Sequence, residues 1–197
     1  MIFETIITSV NLAGKPNITP FGICYENDNV IISPYKPSTT LDNILATKCA
    51  VMNLTDDVRV FAGALTKRKF GELVLIKKTV HTNKNAGFRL ADCLAHAELE
   101  LLVVRDDAVR PQLVMKKTTE DNHQSFAGFN RAQAAVIELA VLVSRLHMLP
   151  REKIETEKQY LQIAMDKTAG EREKQAWGWL IEAIENFYAE QAGNHYT

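Results

Sequence analysis

The chain has few cysteines, and none of them are closely spaced. Cys24, Cys49 and Cys93 are its only three, and no Cys-x-x-Cys pair occurs. Zinc fingers, zinc ribbons and redox dithiols all depend on such pairs, so these classes are excluded. The five histidines form no His-x-x-x-His pair and no pair flanked by glutamate. The sequence therefore predicts no metal site.

Long apolar runs and an excess of charge are also lacking. No stretch approaches the roughly 20 apolar residues of a membrane span, and the first residues do not have the basic, then apolar pattern of a signal peptide. We therefore expect a cytoplasmic protein with no membrane partner. The formal net charge is −1, which provides no field to attract nucleic acid, so we expect no nucleic-acid partner. No nucleophile elbow or Ser-His-Asp order supports a hydrolase.

The first two-thirds of the chain carry a strand pattern interrupted by one short helix. Asn27-Asp28-Asn29 is typical of a hairpin loop, and the segment from Thr39 to Cys49 predicts an amphipathic helix. Six or seven short strands at regular spacing favour a small β-barrel over a repeated strand–helix sheet. The predicted strands are Ile2 to Ser9, Phe21 to Glu26, Val30 to Ser33, Ala50 to Leu54, Leu73 to Val80, Ala95 to Val104 and Gln112 to Thr118.

Near residue 125 the pattern changes to helices. The segment from Asn130 to Leu149 is apolar around much of its circumference, which predicts a helix covered on several sides, with contact between subunits as one possible reason. Two further helical patterns follow Pro150 and Gly170. We therefore predict two domains, a β-barrel at residues 1–125 and a three-helix segment at residues 126–197, with the linker at Lys117 to Gln124.

The most informative feature lies between Asn17 and Asn53. Asn17-Ile18-Thr19-Pro20 precedes a predicted hairpin, and Ser38-Thr39-Thr40 follows it at a helix start. Hydroxyl groups at a helix start can simply cap the helix. They can also hold a phosphate, because the first amides of a helix lack partners and its dipole favours negative charge. We expect both polar runs to be loops. If the hairpin folds back, these loops lie side by side, an arrangement that suits a phosphorylated planar cofactor such as FMN.

The order of these short motifs resembles a known family. The sequence Asn-x-x-Pro-Phe-Gly, a hairpin, Ser-Thr-Thr at a helix start, and Val51-Met52-Asn53 is similar to that of the flavin-reductase-like FMN-binding split barrels. It most resembles the branch of domain-of-unknown-function proteins called DUF447, found in methanogens and methylotrophs. That branch adds a helical C-terminal segment, to which Gly128-Phe129-Asn130-Arg131-Ala132 and the helix after it are similar. The fold that this resemblance implies is an FMN-binding split β-barrel with a C-terminal three-helix segment.

The resemblance also implies residue roles. Asn17, Ile18, Thr19 and Pro20 would line the flavin ring and ribityl chain. Asn53 would face the ligand, or it would be a core asparagine bonded to nearby backbone. Leu41 departs from the branch, which is expected to have an aromatic residue there. The phosphate would be bound by the following residues: Ser38, Thr39, Thr40 and Asn43. From its place at a helix start, Arg131 is either a charge partner of the phosphate or a solvated first-turn arginine, and Lys36 and Arg89 are weaker candidates.

The resemblance leaves two functions from different classes. The first is an NAD(P)H-dependent flavin reductase-like oxidoreductase that acts on an unknown small-molecule acceptor, with a pterin of one-carbon metabolism as one option. The second is a non-catalytic FMN carrier or sensor whose helical segment docks a partner. Both would work as a homodimer, because split barrels of this type place the flavin at a subunit interface. No side chain stands out as an obligatory general acid or base, so the catalytic residues are left open.

Overall fold

The computed structural model describes residues 1–68, 70–76 and 87–193. They form two compact units, residues 1–56 with 71–126 and residues 57–70 with 127–197. Residues 57–70, which the sequence-based division left in the first domain, thus group with the C-terminal helices. That the two units are separate domains stays a prediction. None of the helices in these described stretches combines the length and apolarity that crossing a bilayer requires.

The first unit is a closed six-stranded antiparallel barrel with a small hairpin. Around the barrel the strand order is β1, β2, β3, β8, β7, β4, and β4 pairs back with β1. A helix, α1, lies between β3 and β4, and β5 pairs with β6 in a separate sheet. The strands and helix are β1 (Phe3–Val10), β2 (Pro16–Glu26), β3 (Asn29–Ile32), α1 (Thr39–Thr47), β4 (Cys49–Leu54), β5 (Leu73–Leu75), β6 (Phe88–Leu90), β7 (Ala95–Arg105) and β8 (Gln112–Asn122).

Alternating side chains fill the barrel. In an extended strand successive side chains point to opposite faces, and Ile7, Ile23, Met52, Leu99 and Met115 meet in one buried cluster. Leu41 and Ile44 of α1 join the same cluster, so the helix covers part of the barrel interior with its apolar side. The β2–β3 hairpin turns at Asn27 and Asp28, whose φ angles of 48° and 65° are the left-handed values that such a turn requires.

The second unit is a group of four helices: α2 (Arg59–Leu65), α3 (Arg131–Ser144), α4 (Arg151–Thr168) and α5 (Glu171–Gly193). Helix α3 packs against each of the other three. Its apolar residues, among them Val136 and Leu139, are fully buried in the cluster that these helices share. The chain's own helices therefore cover α3, and its apolar circumference needs no second subunit to explain it.

Several sequence-based expectations were wrong. Asn17 to Pro20 lie inside strand β2 rather than in a loop, and β8 continues to Asn122 through most of the predicted linker. Helix α2 was not predicted at all. Of the strand predicted from Leu73 to Val80, residues 73–75 form β5 and residues 77–80 lie outside the described part of the chain.

Candidate functional site

Among the described residues, one edge of strand β2 has no strand partner along the polar run from Asn17 to Pro20. Its residues from Pro16 to Ile23 pair with β1, but its pairing with β3 begins only at Cys24. From Pro16 to Ile23 the other edge of β2 thus has no strand partner among the described residues. Asn17, Ile18, Thr19 and Pro20 are all half-buried. Backbone groups on this edge are available for hydrogen bonds to another molecule.

A triangle of hydrogen bonds joins β2 to the start of α1. The side-chain amide of Asn17 donates to Thr19 Oγ1 at 2.8 Å and to Thr40 Oγ1 at 3.0 Å. The Thr40 hydroxyl donates to Thr19 Oγ1 at 3.2 Å. Asn17 and Thr19 can both reach Thr40 because alternate residues of a strand share one face. The structure therefore brings together the two polar runs, although Asn17 and Thr19 lie 23 and 21 residues from Thr40 in the sequence.

The three hydroxyl residues at the start of α1 have different surroundings. Ser38 is the N-cap, and its Oγ accepts a hydrogen bond from the Leu41 amide at 3.3 Å. Thr39 is exposed, whereas Thr40 is only 1% exposed and already bonded to β2. The alternative of simple capping is thus correct for Ser38, while Thr40 links the helix to the barrel.

The first turn of α1 retains features of an anion site. The Asp42 amide donates to the Ser38 carbonyl, but the amides of Thr39 and Thr40 have no hydrogen-bond acceptor among the described residues. These two amides and the exposed Thr39 hydroxyl lie at the positive end of the helix dipole. The carboxylate of Asp42, also in this first turn and exposed, opposes a second negative charge.

Asn43 and Asn53 are both buried and bonded to the protein. Asn43 is 5% exposed, and its side-chain amide donates to Ser9 Oγ at 3.0 Å. Asn53 is fully buried: its amide nitrogen lies 3.1–3.3 Å from the Ile6 carbonyl, Thr8 Oγ1 and the Val51 carbonyl. Its Oδ1 accepts from the Leu90 amide at 2.8 Å. Of the two roles predicted for Asn53, this geometry matches the core asparagine, which here ties β6 to β1 and β4.

The candidate cations for the phosphate either belong to the second unit or have protein partners. Arg131 belongs to the second unit, as the exposed first residue of α3 after the Asn130 cap, and its role stays a prediction. Lys36 Nζ donates to the Asp107 carbonyl at 2.8 Å and pairs with Asp106 at 3.3 Å. Arg89 Nη1 donates to the carbonyls of Leu90 and Ala91 at 2.8 and 3.0 Å.

Two histidines that the sequence left apart form a pair. His96 Nδ1 and His123 Nε2 are 2.8 Å apart, and the two rings are nearly parallel. Burial lowers the pKa of His96, which is 5% exposed, and the neighbouring His123 lowers it further. No sequence signal marked this pair, because β7 and β8 bring the rings together only through their pairing. Within residues 1–68, 70–76 and 87–193, no group of three or more His, Cys, Asp or Glu side chains could hold a metal ion.

Comparisons with known proteins identify related sequences and folds. The family model described as the protein of unknown function (DUF447) N-terminal domain matches residues 3–124, and the DUF447 C-terminal model matches residues 130–182. Among proteins with curated descriptions, no relative matches. A solved structure of an FMN-bound DUF447 protein from Methanosarcina mazei matches with a TM-score of 0.77 and 21% identity, over 92% of this chain and 94% of that one.

The match to the Methanosarcina mazei structure shows that this chain shares the fold of that protein. A Streptomyces globisporus NADH:FAD oxidoreductase gives a TM-score of 0.49 at 12% identity, covering 61% of this chain and 70% of that one. A flavoredoxin from Methanosarcina acetivorans gives 0.47 at 12% identity, covering 64% and 72%. Similarity at these lower levels carries no argument about the chemistry of this chain.

Proposed function

The chain belongs to the DUF447 family, and on that basis we propose that it is a flavoprotein that binds FMN through its barrel unit. The FMN-bound relative shares the fold over nearly the whole chain, which supports the proposal. The observation that carries it is the triangle of Asn17, Thr19 and Thr40, because it joins a free strand edge to a helix start. A free strand edge can hydrogen-bond a flat polar ring, and a helix start can hold a phosphate.

The described residues divide into two groups by what they offer to FMN. The exposed Thr39 hydroxyl and the amides of Thr39 and Thr40 would hold the phosphate at the start of α1. The free edge of β2, with the half-buried Ile18 and Pro20, would contact the ring. Asn17, Thr19 and Thr40 would act as positioning residues, since their side-chain groups already bond to one another.

We also propose that the protein works as a homodimer. Leu102, Val103 and Val104 are consecutive residues of β7, and 39–52% of each is exposed. The register with β8 is irregular at Leu102, but Val103 and Val104 pair regularly. These two residues therefore point to opposite faces, and the distal part of β7 exposes apolar side chains on both faces. In a monomer these apolar side chains would stay in contact with water, whereas a second copy packed against them would bury them. We propose this surface as the subunit contact in place of α3, because the helices of its own unit bury α3.

The activity that we propose is that of an NAD(P)H-dependent reductase with an unknown small-molecule acceptor, for which a pterin of one-carbon metabolism is one option. Bound FMN would supply the chemistry, hydride acceptance and electron delivery. The protein would contribute binding and orientation: the β2 edge would fix the ring, and the start of α1 would fix the phosphate. With these roles for the cofactor and the protein, no described side chain needs to act as an acid or base.

One sequence of measurements tests the proposal. Purified protein should bind FMN at one per chain, seen as a change in flavin absorbance and fluorescence, and should have the mass of two chains by light scattering. Anaerobic addition of NADH or NADPH should then bleach the bound flavin. Flavin that stays oxidised with both nucleotides would contradict the reductase activity in favour of a carrier or sensor. Protein that is still colourless after incubation with excess FMN and removal of the free flavin would overturn the flavoprotein proposal itself.

A further inference from the structure

The segment that leads into helix α1 has no regular secondary structure. Residues 33–37, which we call the lead-in segment, join the end of β3 to the Ser38 N-cap and belong to neither a strand nor a helix. Because such a segment has no ladder of its own, its backbone is fixed by hydrogen bonds to other parts of the chain. Its path determines the direction of the first amides of α1, which we propose to bind the phosphate of FMN.

The turn between β7 and β8, residues 106–111, contacts the end of the lead-in segment. The Lys36 amide donates to the Val109 carbonyl at 2.9 Å. The Lys36 side chain also reaches this turn, since its Nζ donates to the Asp107 carbonyl at 2.8 Å. Lys36 stands two residues before the Ser38 cap, so these bonds hold the chain just where it enters the helix.

The same turn contacts the beginning of the lead-in segment through Arg110. Arg110 Nε donates to the Ser33 carbonyl at 3.1 Å. The guanidinium carbon of Arg110 lies 4.8 Å from the centre of the Tyr35 ring, within the range of a cation–π contact. The lead-in segment is therefore held at both its ends by the β7–β8 turn.

Asp107 determines the shape of this turn. Its Oδ1 accepts from the Arg110 amide at 2.6 Å and from the Val109 amide at 2.8 Å. These two hydrogen bonds, that from Arg110 first, hold the pKa of Asp107 below its ordinary value. One carboxylate oxygen thus fixes the two residues whose carbonyl and side chain reach the lead-in segment.

We propose that Asp107 is a positioning residue for the phosphate of FMN: it shapes the β7–β8 turn, which holds the lead-in segment and so directs the amides of Thr39 and Thr40. This inference rests on the proposed FMN site. Asp107 is exposed and negatively charged, so its charge alone would oppose a phosphate. Its hydrogen bonds act in the opposite direction, because they prepare the helix start for the anion.

Two substitutions separate the hydrogen bonds of Asp107 from its charge. Asp107→Ala removes both, whereas Asp107→Asn removes the charge and keeps a side-chain oxygen that accepts from two amides. In titrations of the full-length protein, Asp107→Ala should bind FMN about fivefold more weakly than Asp107→Asn, the effect of about one net hydrogen bond. Riboflavin, which lacks the phosphate, should bind equally well to the two variants. In NMR spectra of the apoprotein, the amide signals of Thr39 and Thr40 should differ between them.

Glu26→Gln is the matched control. Glu26 pairs with Arg105, the residue directly before the turn, at 2.6 Å, and both side chains are 46% exposed. Among the described residues, Glu26 forms no hydrogen bond or ion pair with the lead-in segment. Its substitution therefore removes a charge and an ion pair beside the turn, and it should change neither FMN binding nor the amide signals of Thr39 and Thr40.

Arg110→Lys tests the same role if Asp107→Ala does not fold. It keeps the positive charge and loses the planar guanidinium that reaches Ser33 and Tyr35, so it should weaken the binding of FMN and leave that of riboflavin unchanged. Circular dichroism checks the fold of each variant.

The outcomes distinguish this role from the proposed function. Wild-type protein that binds no FMN would overturn the proposed function and this role with it. If the wild type binds FMN, equal FMN affinities of Asp107→Ala and Asp107→Asn would overturn the positioning role alone. So would equal losses for FMN and riboflavin, which would mean that the barrel unit is loosened as a whole. An Arg110→Lys variant with wild-type affinity for FMN would overturn it as well.

Discussion

Replacing Asn53 with alanine should destabilise the barrel unit by about 3–5 kcal/mol without removing a flavin contact. The amide group of Asn53 faces three acceptors but has only two hydrogens, so it makes two hydrogen bonds at a time. Each contributes about 1 kcal/mol net, and the Leu90 amide, left without its acceptor, adds about 1–3 kcal/mol. The sum is large because the site is fully buried and water cannot replace the lost side chain.

Hydrogen exchange and urea unfolding of the apoprotein measure this effect. The Leu90 amide of β6 should lose protection before the amides of the barrel strands, since Asn53 Oδ1 is its acceptor. Asn122→Ala, an exposed change at the end of β8, serves as the control and should alter the free energy of unfolding by less than about 0.5 kcal/mol. Thr8→Val is a milder change in the same network and should cost about 1–2 kcal/mol.

Flavin affinity decides between the two roles of Asn53. If its role is structural, FMN binding to folded Asn53→Ala protein should change by less than about threefold, because no charge-assisted bond worth about 1.5–3 kcal/mol is lost. A variant that keeps its stability and loses tenfold or more in FMN affinity would refute this reasoning. It would mean that the side chain turns toward the ligand when FMN binds.

Two further predictions concern the helix start and the histidine pair. Thr39→Ala should weaken FMN binding by about tenfold and leave riboflavin binding unchanged, because only FMN carries the phosphate. Thr40→Val should weaken the binding of both ligands by loosening β2 from α1. Titrations with each flavin measure these effects, and equal losses for both ligands in Thr39→Ala would contradict the assignment. Burial holds the pKa of His96 below its ordinary value of 6.5. Between the folded and unfolded pKa values the unfolded state therefore binds more protons. The stability from neutral His96 is complete above about pH 6.5 and falls as the pH drops through that window. Urea unfolding at several pH values should show this slope, and His96→Gln should flatten it; an unchanged slope would contradict the assignment.

The sequence predicted those parts of the fold where local pattern and burial agree. Helix α1 has a cap at Ser38 and an apolar side, and the structure confirms it. Helix α2 gave no comparable signal, because it has seven residues, includes Gly63, and begins after Val58, which provides no side-chain cap. The run from Asn17 to Pro20 was predicted to be a loop, yet a strand with a free edge tolerates Pro16 and Pro20, which lack an N–H.

The sequence could predict which residue types form the candidate site, but not which role each residue has in it. Thr39 and Thr40 are adjacent and chemically identical. The packing of α1 on the barrel, with Leu41 and Ile44 turned inward, determines that the Thr40 hydroxyl meets Asn17 while Thr39 faces solvent. A hydroxyl that already has protein partners exchanges one hydrogen bond for another when a phosphate arrives, so it adds little to affinity. A hydroxyl that faces water gains a charge-assisted bond instead. The selectivity for FMN over riboflavin should therefore reside in Thr39, and the shape of the site in Thr40.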